Sequence, residues 1–125
     1  MGSVPVGIFR GVAQSDAEAA RWFRKAADQG DAGAQYNLGV MFDQGRGVAQ
    51  SDVEAARWFR KAADQGHAEA QSNLGNMFEQ GRGVAQSDVK AARWYRKAAD
   101  QGHADAQCKL GVMLFQGRSV AHWSS

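Results

Sequence analysis

The residues best suited to acid–base chemistry in this chain are three histidines, His67, His103 and His122. A neutral imidazole can act as a general base or bind a metal ion. His67 and His103 each follow a glycine and lie 36 residues apart, so we interpret them as residues that start equivalent helices. The sequence contains no HExxH, CxxC, GxSxG or phosphate-loop motif, and its single cysteine, Cys108, has no nucleophile–base arrangement around it. We therefore predict that the protein is not an enzyme and has no catalytic residue, no cofactor and no metal site.

A second group of side chains has the chemistry to bind a polyanion. Two arginines and a lysine stand at positions i, i+3 and i+4 and recur three times at a spacing of 36 residues. Stacked repeats would align them in one stripe, which a phosphate backbone could follow. The nine residues of this basic stripe are Arg21, Arg24, Lys25, Arg57, Arg60, Lys61, Arg93, Arg96 and Lys97.

A solvated helix face is the simpler interpretation of the basic stripe. An aspartate follows the second arginine of each set by four residues, a spacing at which the two side chains can pair on a helix. The chain has 15 basic and 13 acidic residues and a formal net charge of only +2. We therefore favour the solvated face and keep binding of nucleic acid or another polyanion as the alternative.

Cysteine content and hydropathy bear on location. One cysteine cannot form an internal disulfide, so nothing in the chain requires an oxidising compartment. The first ten residues lack the pattern of a signal peptide, and no apolar stretch is long enough to cross a membrane. We therefore expect no membrane partner and favour a cytoplasmic location.

The spacing of 36 residues comes from a repeated block with copies at Gly11–Arg46, Gly47–Arg82 and Gly83–Arg118. The second copy is identical to the first at 30 of 36 positions, and the third to the second at 28 of 36. A fixed period of this length is typical of a solenoid, whose units bury their apolar faces by stacking on one another. We predict one repeat domain over residues 1–125, with atypical ends at 1–10 and 119–125.

Each block is predicted to contain two helices, which we name the Trp helix and the Leu-Gly helix after their most distinctive residues. In the second copy Ser51 and Glu54 form a capping-box pattern, and the Trp helix runs from there to about Gln65. The Leu-Gly helix runs from about Ala68 to Gln80. Six such helices and no strand place the chain in the all-α class. The apolar arc of the Trp helix is wide, so Trp22, Trp58 and Trp94 are expected to occupy equivalent, largely buried sites.

The combined pattern resembles the Sel-one-like repeat (SLR) family, a relative of the tetratricopeptide repeat. The resemblance covers Gly11–Arg118 and rests on an alanine, leucine and glycine framework followed by a Gly-x-Gly-Val loop and a Trp-aromatic pair. The matching residues are Ala70, Leu74, Gly75, Phe78, Gly81, Gly83, Val84, Asp88, Ala91, Trp94, Tyr95, Lys97, Ala98, Ala99 and Gly102. The resemblance implies a right-handed α/α superhelix and an adaptor-like role, with the Leu-Gly helices lining a concave wall.

Differences between the copies indicate where a protein partner would bind. Within the Leu-Gly helices the differing positions point away from the leucine, and we interpret them as a face that packing between repeats leaves free. The candidate partner-binding residues, called the wall positions below, are Tyr36, Asn37, Val40, Asn73, Asn76, Lys109 and Val112. We predict a non-catalytic scaffold for a protein or peptide, and ordinary exposed surface is the competing interpretation of these positions.

The order of the two helix types at the ends of the repeats is unusual, and it bears on self-association. The first block begins with a Trp helix and the last ends with a Leu-Gly helix, and apolar residues such as Leu114 and Phe115 lie on that last helix. The first Trp helix lacks the Leu-Gly helix that would normally precede it, and the last Leu-Gly helix lacks the Trp helix that would normally follow it. These two uncovered faces are complementary, so head-to-tail contact between copies of the chain would mimic an internal junction. The alternatives are that the terminal segments fold back as caps or that the chain is a piece of a longer array.

Overall fold

The computed structural model describes residues 15–118, and these form an all-α repeat solenoid. The described residues contain six helices of 13 residues each and no strand, as predicted. The helices are α1 (Asp16–Asp28), α2 (Ala32–Gln44), α3 (Asp52–Asp64), α4 (Ala68–Gln80), α5 (Asp88–Asp100) and α6 (Ala104–Gln116). Helices α1, α3 and α5 are the Trp helices, and α2, α4 and α6 are the Leu-Gly helices. The atypical ends expected at 1–10 and 119–125 lie outside the described residues.

Local capping explains where the helices start. The Ser51 hydroxyl accepts a hydrogen bond from the Glu54 amide at 3.1 Å, and the serines before α1 and α5 do the same. His67 Nδ1 accepts from the Ala70 amide at 3.2 Å, and His103 caps α6 in the same way. Side chains that accept from these first amides satisfy donors that a helix start otherwise leaves unpaired. The interpretation of the two histidines as helix-start residues is confirmed.

Each helix packs on the next along the chain, and the Leu-Gly helices α2 and α4 pack more extensively on the following Trp helix than on the preceding one. Close approach at these larger junctions depends on a missing side chain. A Cβ added to Gly75 on α4 would lie 2.7 Å from the ring of Tyr95 on α5, which is fully buried. Gly75 therefore lets the two helices approach until the ring covers the helix backbone.

A ladder of glutamine side chains connects successive junctions. The amide nitrogen of Gln65, at the end of α3, donates to the Gly30 carbonyl at 2.9 Å and to Gln35 Oε1 at 2.8 Å. Gln35 is buried and itself donates to the Ala27 carbonyl. The equivalent bonds recur one repeat later through Gln101. The ladder satisfies buried polar groups while it sets the register of neighbouring repeats.

The arginine that ends each block ties its own Trp helix to the preceding repeat. Arg82 pairs with Asp52 at 3.1 Å and also with Asp43, a residue of the previous Leu-Gly helix. The hydrogen bonds from Arg82 and Gln50 lower the pKa of Asp52 below its ordinary value. Arg118 makes the equivalent pairs, whereas Arg46 pairs with Asp16 on α1.

The predicted equivalence of the three tryptophans is wrong for Trp22. Trp58 and Trp94 are 2% and 9% exposed, but Trp22 is 61% exposed. Trp58 is buried because it packs against Ala27 and Leu38 of the preceding helices. The part of the chain described by the structure provides no such preceding helices for α1, so the same residue type has a different environment.

Candidate protein-interaction surface

The wall positions lie on the three Leu-Gly helices, as the helix assignment requires. Three are on α2, two on α4 and two on α6. Asn37 and Val112 are exposed, while the other five are half-buried. The wall positions therefore form a partly open surface.

Tyr36 and Asn73 belong to one cluster that bridges α2 and α4. The Tyr36 ring stacks on His67 with the ring centroids 4.8 Å apart, and it lies 5.8 Å from the Phe59 ring. Burial and the charge of Glu69 raise the pKa of Tyr36, and a hydrogen bond with Asn73 opposes them. The cluster brings two predicted site residues together across a repeat junction.

Asn76 and Lys109 both lie close to Tyr95. The Tyr95 hydroxyl is 2.6 Å from Asn76 Oδ1 and 2.7 Å from Glu79 Oε1, and it donates its one proton to these acceptors. Burial, followed by the hydrogen bond with Glu79, raises the pKa of Tyr95 far above its ordinary value. Lys109 Nζ lies 6.0 Å from the centre of the Tyr95 ring. One wall position of α4, Asn76, and one of α6, Lys109, therefore both lie next to the same buried tyrosine.

These contacts change the interpretation of the helix face that carries the wall positions. The expectation that packing between repeats leaves it free fails at Tyr36 and Asn76, which contact the next repeat. Glu79 is another position that differs between the copies, but it was not among the predicted wall positions; it accepts from Tyr95 and pairs with Arg118 at 2.9 Å. The available signal was paired change between copies, because tyrosine at 95 occurs with asparagine at 76, whereas Phe59 occurs with valine at 40.

The basic stripe lies on α1, α3 and α5, and most of its arginines are paired with carboxylates. Arg24 pairs with Asp28 at 3.4 Å, and the corresponding pairs are made by Arg60 and Arg96. Several stripe residues also lie over tryptophan rings. The shortest such distances to Trp58 and Trp94 are 5.3 Å from Arg24 and 5.2 Å from Arg60. Both of these contacts join successive Trp helices, so the stripe contributes to repeat packing.

Between residues 15 and 118, no group of three or more His, Cys, Asp or Glu side chains is arranged to hold a metal ion. None of the six helices is both long enough and apolar enough to cross a membrane.

The Sel1 repeat family model matches residues 6–31, 32–67, 68–103 and 104–121. These matches cover most of the chain, which therefore belongs to the Sel1 repeat family, and the resemblance inferred from sequence is confirmed. The two complete matches each contain a Leu-Gly helix followed by a Trp helix. This order of helices within a match agrees with the packing, because the larger junctions are those of α2 with α3 and of α4 with α5.

Solved structures show the same fold. The protective antigen c5321 of uropathogenic Escherichia coli, which displays an SLR fold, is 41% identical with a TM-score of 0.86 over 90% of this chain and 24% of that one. A Sel1 repeat protein from Oxalobacter formigenes is 39% identical with a TM-score of 0.84 over 87% of this chain and 45% of that one. Cysteine-rich protein B of Helicobacter pylori is 22% identical, with a TM-score of 0.74 over 78% and 74% of the two chains, and shows the fold alone. This chain thus spans about a quarter of the length of the Escherichia coli antigen and less than half of the length of the Oxalobacter formigenes protein. No curated protein sequence is similar enough to count as a match.

Proposed function

We propose that the chain is a non-catalytic scaffold that binds a protein or peptide through the wall positions. Sel1 repeat proteins are generally protein-interaction scaffolds. The observation that supports this surface is the clustering of wall positions from different repeats, Tyr36 with Asn73 and Asn76 with Lys109, next to exposed Asn37 and Val112. Because these side chains differ between the copies and meet across the junctions, each junction presents a different set of side chains to a partner.

The test uses the two exposed wall positions, Asn37 and Val112, together with the half-buried Lys109. A triple variant, Asn37→Ala with Lys109→Ala and Val112→Ala, should reduce binding of a captured partner without lowering the melting temperature. The matched control replaces three stripe residues of the Trp helices, Arg21, Lys25 and Lys61, with glutamine.

Partners would be captured from native lysate at moderate salt, and direct binding would be measured with the purified partner. Loss of binding in the wall variant alone is the expected result. Loss in the stripe control alone would contradict the assignment of the wall as the binding surface.

Head-to-tail self-association is a second proposal, supported by exposed apolar side chains at both ends of the described residues. Phe115, Leu114 and Val112 on α6 are 94%, 49% and 44% exposed, and Trp22 on α1 is 61% exposed. At the internal junctions, the corresponding faces are covered by the next repeat. Charged replacements at Leu114 and Phe115 should suppress concentration-dependent sedimentation, and a wild-type chain that remains monomeric at high concentration would refute the proposal.

Nucleic-acid binding through the whole basic stripe is less well supported. Arg24, Arg60 and Arg96 are paired with aspartates, and Arg57 pairs with Glu54 at 3.1 Å. A strand that followed the stripe would have to displace these carboxylates. Its affinity would have to fall steeply with added salt, because counterion release drives such binding.

A further inference from the structure

We propose that a cleft between α3 and α5 binds an acidic peptide segment of a partner protein. The cleft has a volume of about 330 Å³, and its charged lining consists of one carboxylate, Asp64, and the four cations Arg60, Lys90, Arg93 and Lys97. It lies on the Trp helices rather than on the wall positions. The inference therefore goes beyond the proposed scaffold surface and does not depend on it.

The cations of this cleft are positioned by buried aromatic rings. Lys90 Nζ lies 5.7 Å from the centre of the Phe78 ring. Arg60 Cζ and Lys97 Nζ lie 5.2 Å and 5.4 Å from the centre of the Trp94 ring. Both rings are buried, so they give the aliphatic stems a fixed support while the charged ends remain at the surface.

Most of the positive charge in the cleft is not neutralised by the protein. Asp64 pairs with Arg60 at 3.2 Å, which accounts for the only carboxylate in the lining. Across residues 15–118, neither Lys90, Arg93 nor Lys97 makes an ion pair with a carboxylate. Three unneutralised cations therefore converge on one cleft and favour an anionic ligand.

The preceding repeat provides a matched internal comparison. The residues equivalent to the cleft lining are the same in type at every position except one, where Glu54 takes the place of Lys90. Glu54 pairs with Arg57, the counterpart of Arg93, at 3.1 Å. One difference between the copies thus adds a cation and removes the carboxylate that would neutralise the neighbouring arginine. Within residues 15–118, this basic cleft therefore forms only where the third block packs on the second.

The spread of the cations favours an extended acidic segment over a compact anion. Lys90, Arg93 and Lys97 stand at i, i+3 and i+7 on α5, so the outer two are separated by about 10 Å along the helix axis. Three residues of extended chain also span about 10 Å, whereas a single phosphate group cannot contact both ends at once. A continuous nucleic-acid strand is disfavoured because the adjoining stripe residues are paired with carboxylates. Carboxylates spaced along a peptide fit the arrangement.

The experiment is calorimetric titration of the purified chain at low ionic strength with a blocked peptide of alternating Glu and Gly residues. The corresponding Gln–Gly peptide is the control for charge. Lys90→Glu should weaken binding by about tenfold or more, because it restores the neutralising residue of the other copies. Since Glu occupies this position in both preceding copies, the variant is expected to fold, and circular dichroism checks this.

A gain-of-function variant keeps the proposal falsifiable. Glu54→Lys should create an equivalent cleft one repeat earlier and raise the stoichiometry from one peptide to two. Peptide affinity that Lys90→Glu leaves unchanged would overturn the proposal, and so would tighter binding of single-stranded oligothymidylate than of the peptide. The triple wall variant should retain peptide affinity, which separates failure of this inference from failure of the proposed scaffold surface.

Discussion

The Tyr95 hydroxyl on α5 lies 2.6 Å from Asn76 Oδ1 on α4, whereas the preceding junction has Phe59 and Val40 at the corresponding positions. The hydroxyl and its amide partner are therefore present together at one junction and absent together at the other. Since a buried polar group is costly without a partner, a change at one position makes a matching change at the other favourable. The residue type that is favourable at wall position 76 therefore depends on whether the residue that packs against it is tyrosine or phenylalanine.

The Tyr95–Asn76 pair should show energetic coupling. Tyr95→Phe leaves Asn76 and Glu79 without the hydroxyl, and Asn76→Val leaves the hydroxyl with one partner fewer. Each single change should lower the free energy of unfolding by about 1–3 kcal/mol. The double variant installs the pair found at the preceding junction and should lose less than the sum of the singles.

Urea denaturation of the four proteins provides the double-mutant cycle. The m-values should agree among them, since no variant changes the surface exposed on unfolding. The expected coupling is about 0.5–3 kcal/mol. Strictly additive losses would show that the hydroxyl and the amide do not depend on each other.

Alkaline pH should destabilise the protein. The pKa values of Tyr36 and Tyr95, the only two tyrosines, are raised above the ordinary value of 10.0. Above pH 10.0 the unfolded chain releases phenol protons that the folded chain retains, so the free energy of unfolding falls as pH rises. Below that pH this stabilisation is fully present.

The measurement is chemical denaturation at a series of alkaline pH values, with phenolate absorbance followed in the native protein. Tyr95→Phe should make the decline in stability shallower, because it removes the tyrosine with the larger pKa shift. Native tyrosines that ionise at or below the ordinary pKa would contradict the prediction.

How much could be predicted from the sequence depends on the range of the interactions involved. The capping of α3 by Ser51 and the end of α4 at Gly81 were predictable, because caps involve residues a few positions apart. The exposure of Trp22 was not, since identical local sequence gives different burial when the preceding helices differ. The contact of Asn76 with Tyr95 lies between helices, and only the paired change between copies signals it.

The glutamine ladder escaped sequence reasoning for a different reason. Gln35, Gln65, Gln71 and Gln101 are the same in each copy, so comparing copies draws no attention to them. Their role depends on the register between repeats, which brings Gln65 within 2.8 Å of Gln35. Identity between copies marks conserved packing, but it does not reveal which bonds that packing makes.

The two tryptophan environments should differ strongly in mutational cost. Trp58→Ala removes a side chain that is 2% exposed and should cost about 3–5 kcal/mol, as for other large-to-small core changes. Trp22→Ala removes one that is 61% exposed and should cost less than about 1 kcal/mol. Thermal or urea unfolding compares the two directly. Equal losses would mean that Trp22 is covered in solution, for example by a second copy of the chain.

Two glycines at equivalent positions of α4 and α6 should respond to alanine in opposite directions. A Cβ at Gly75 would lie 2.7 Å from the Tyr95 ring, whereas a Cβ at Gly111 would meet nothing within 4 Å. Gly75→Ala should therefore push α5 away from α4 and lower the free energy of unfolding. Gly111→Ala should raise it by up to about 1 kcal/mol, because alanine is the better helix former.

Urea denaturation of the two glycine variants and the wild type at one protein concentration is the measurement. The pair controls for helix propensity, which favours alanine at both sites, so any difference in sign comes from the junction with the next helix. If Gly75→Ala were as stable as Gly111→Ala, the close packing of Tyr95 on the α4 backbone would be refuted. If Gly111→Ala were instead destabilising, α6 would have to pack against a further surface in solution, as head-to-tail self-association requires.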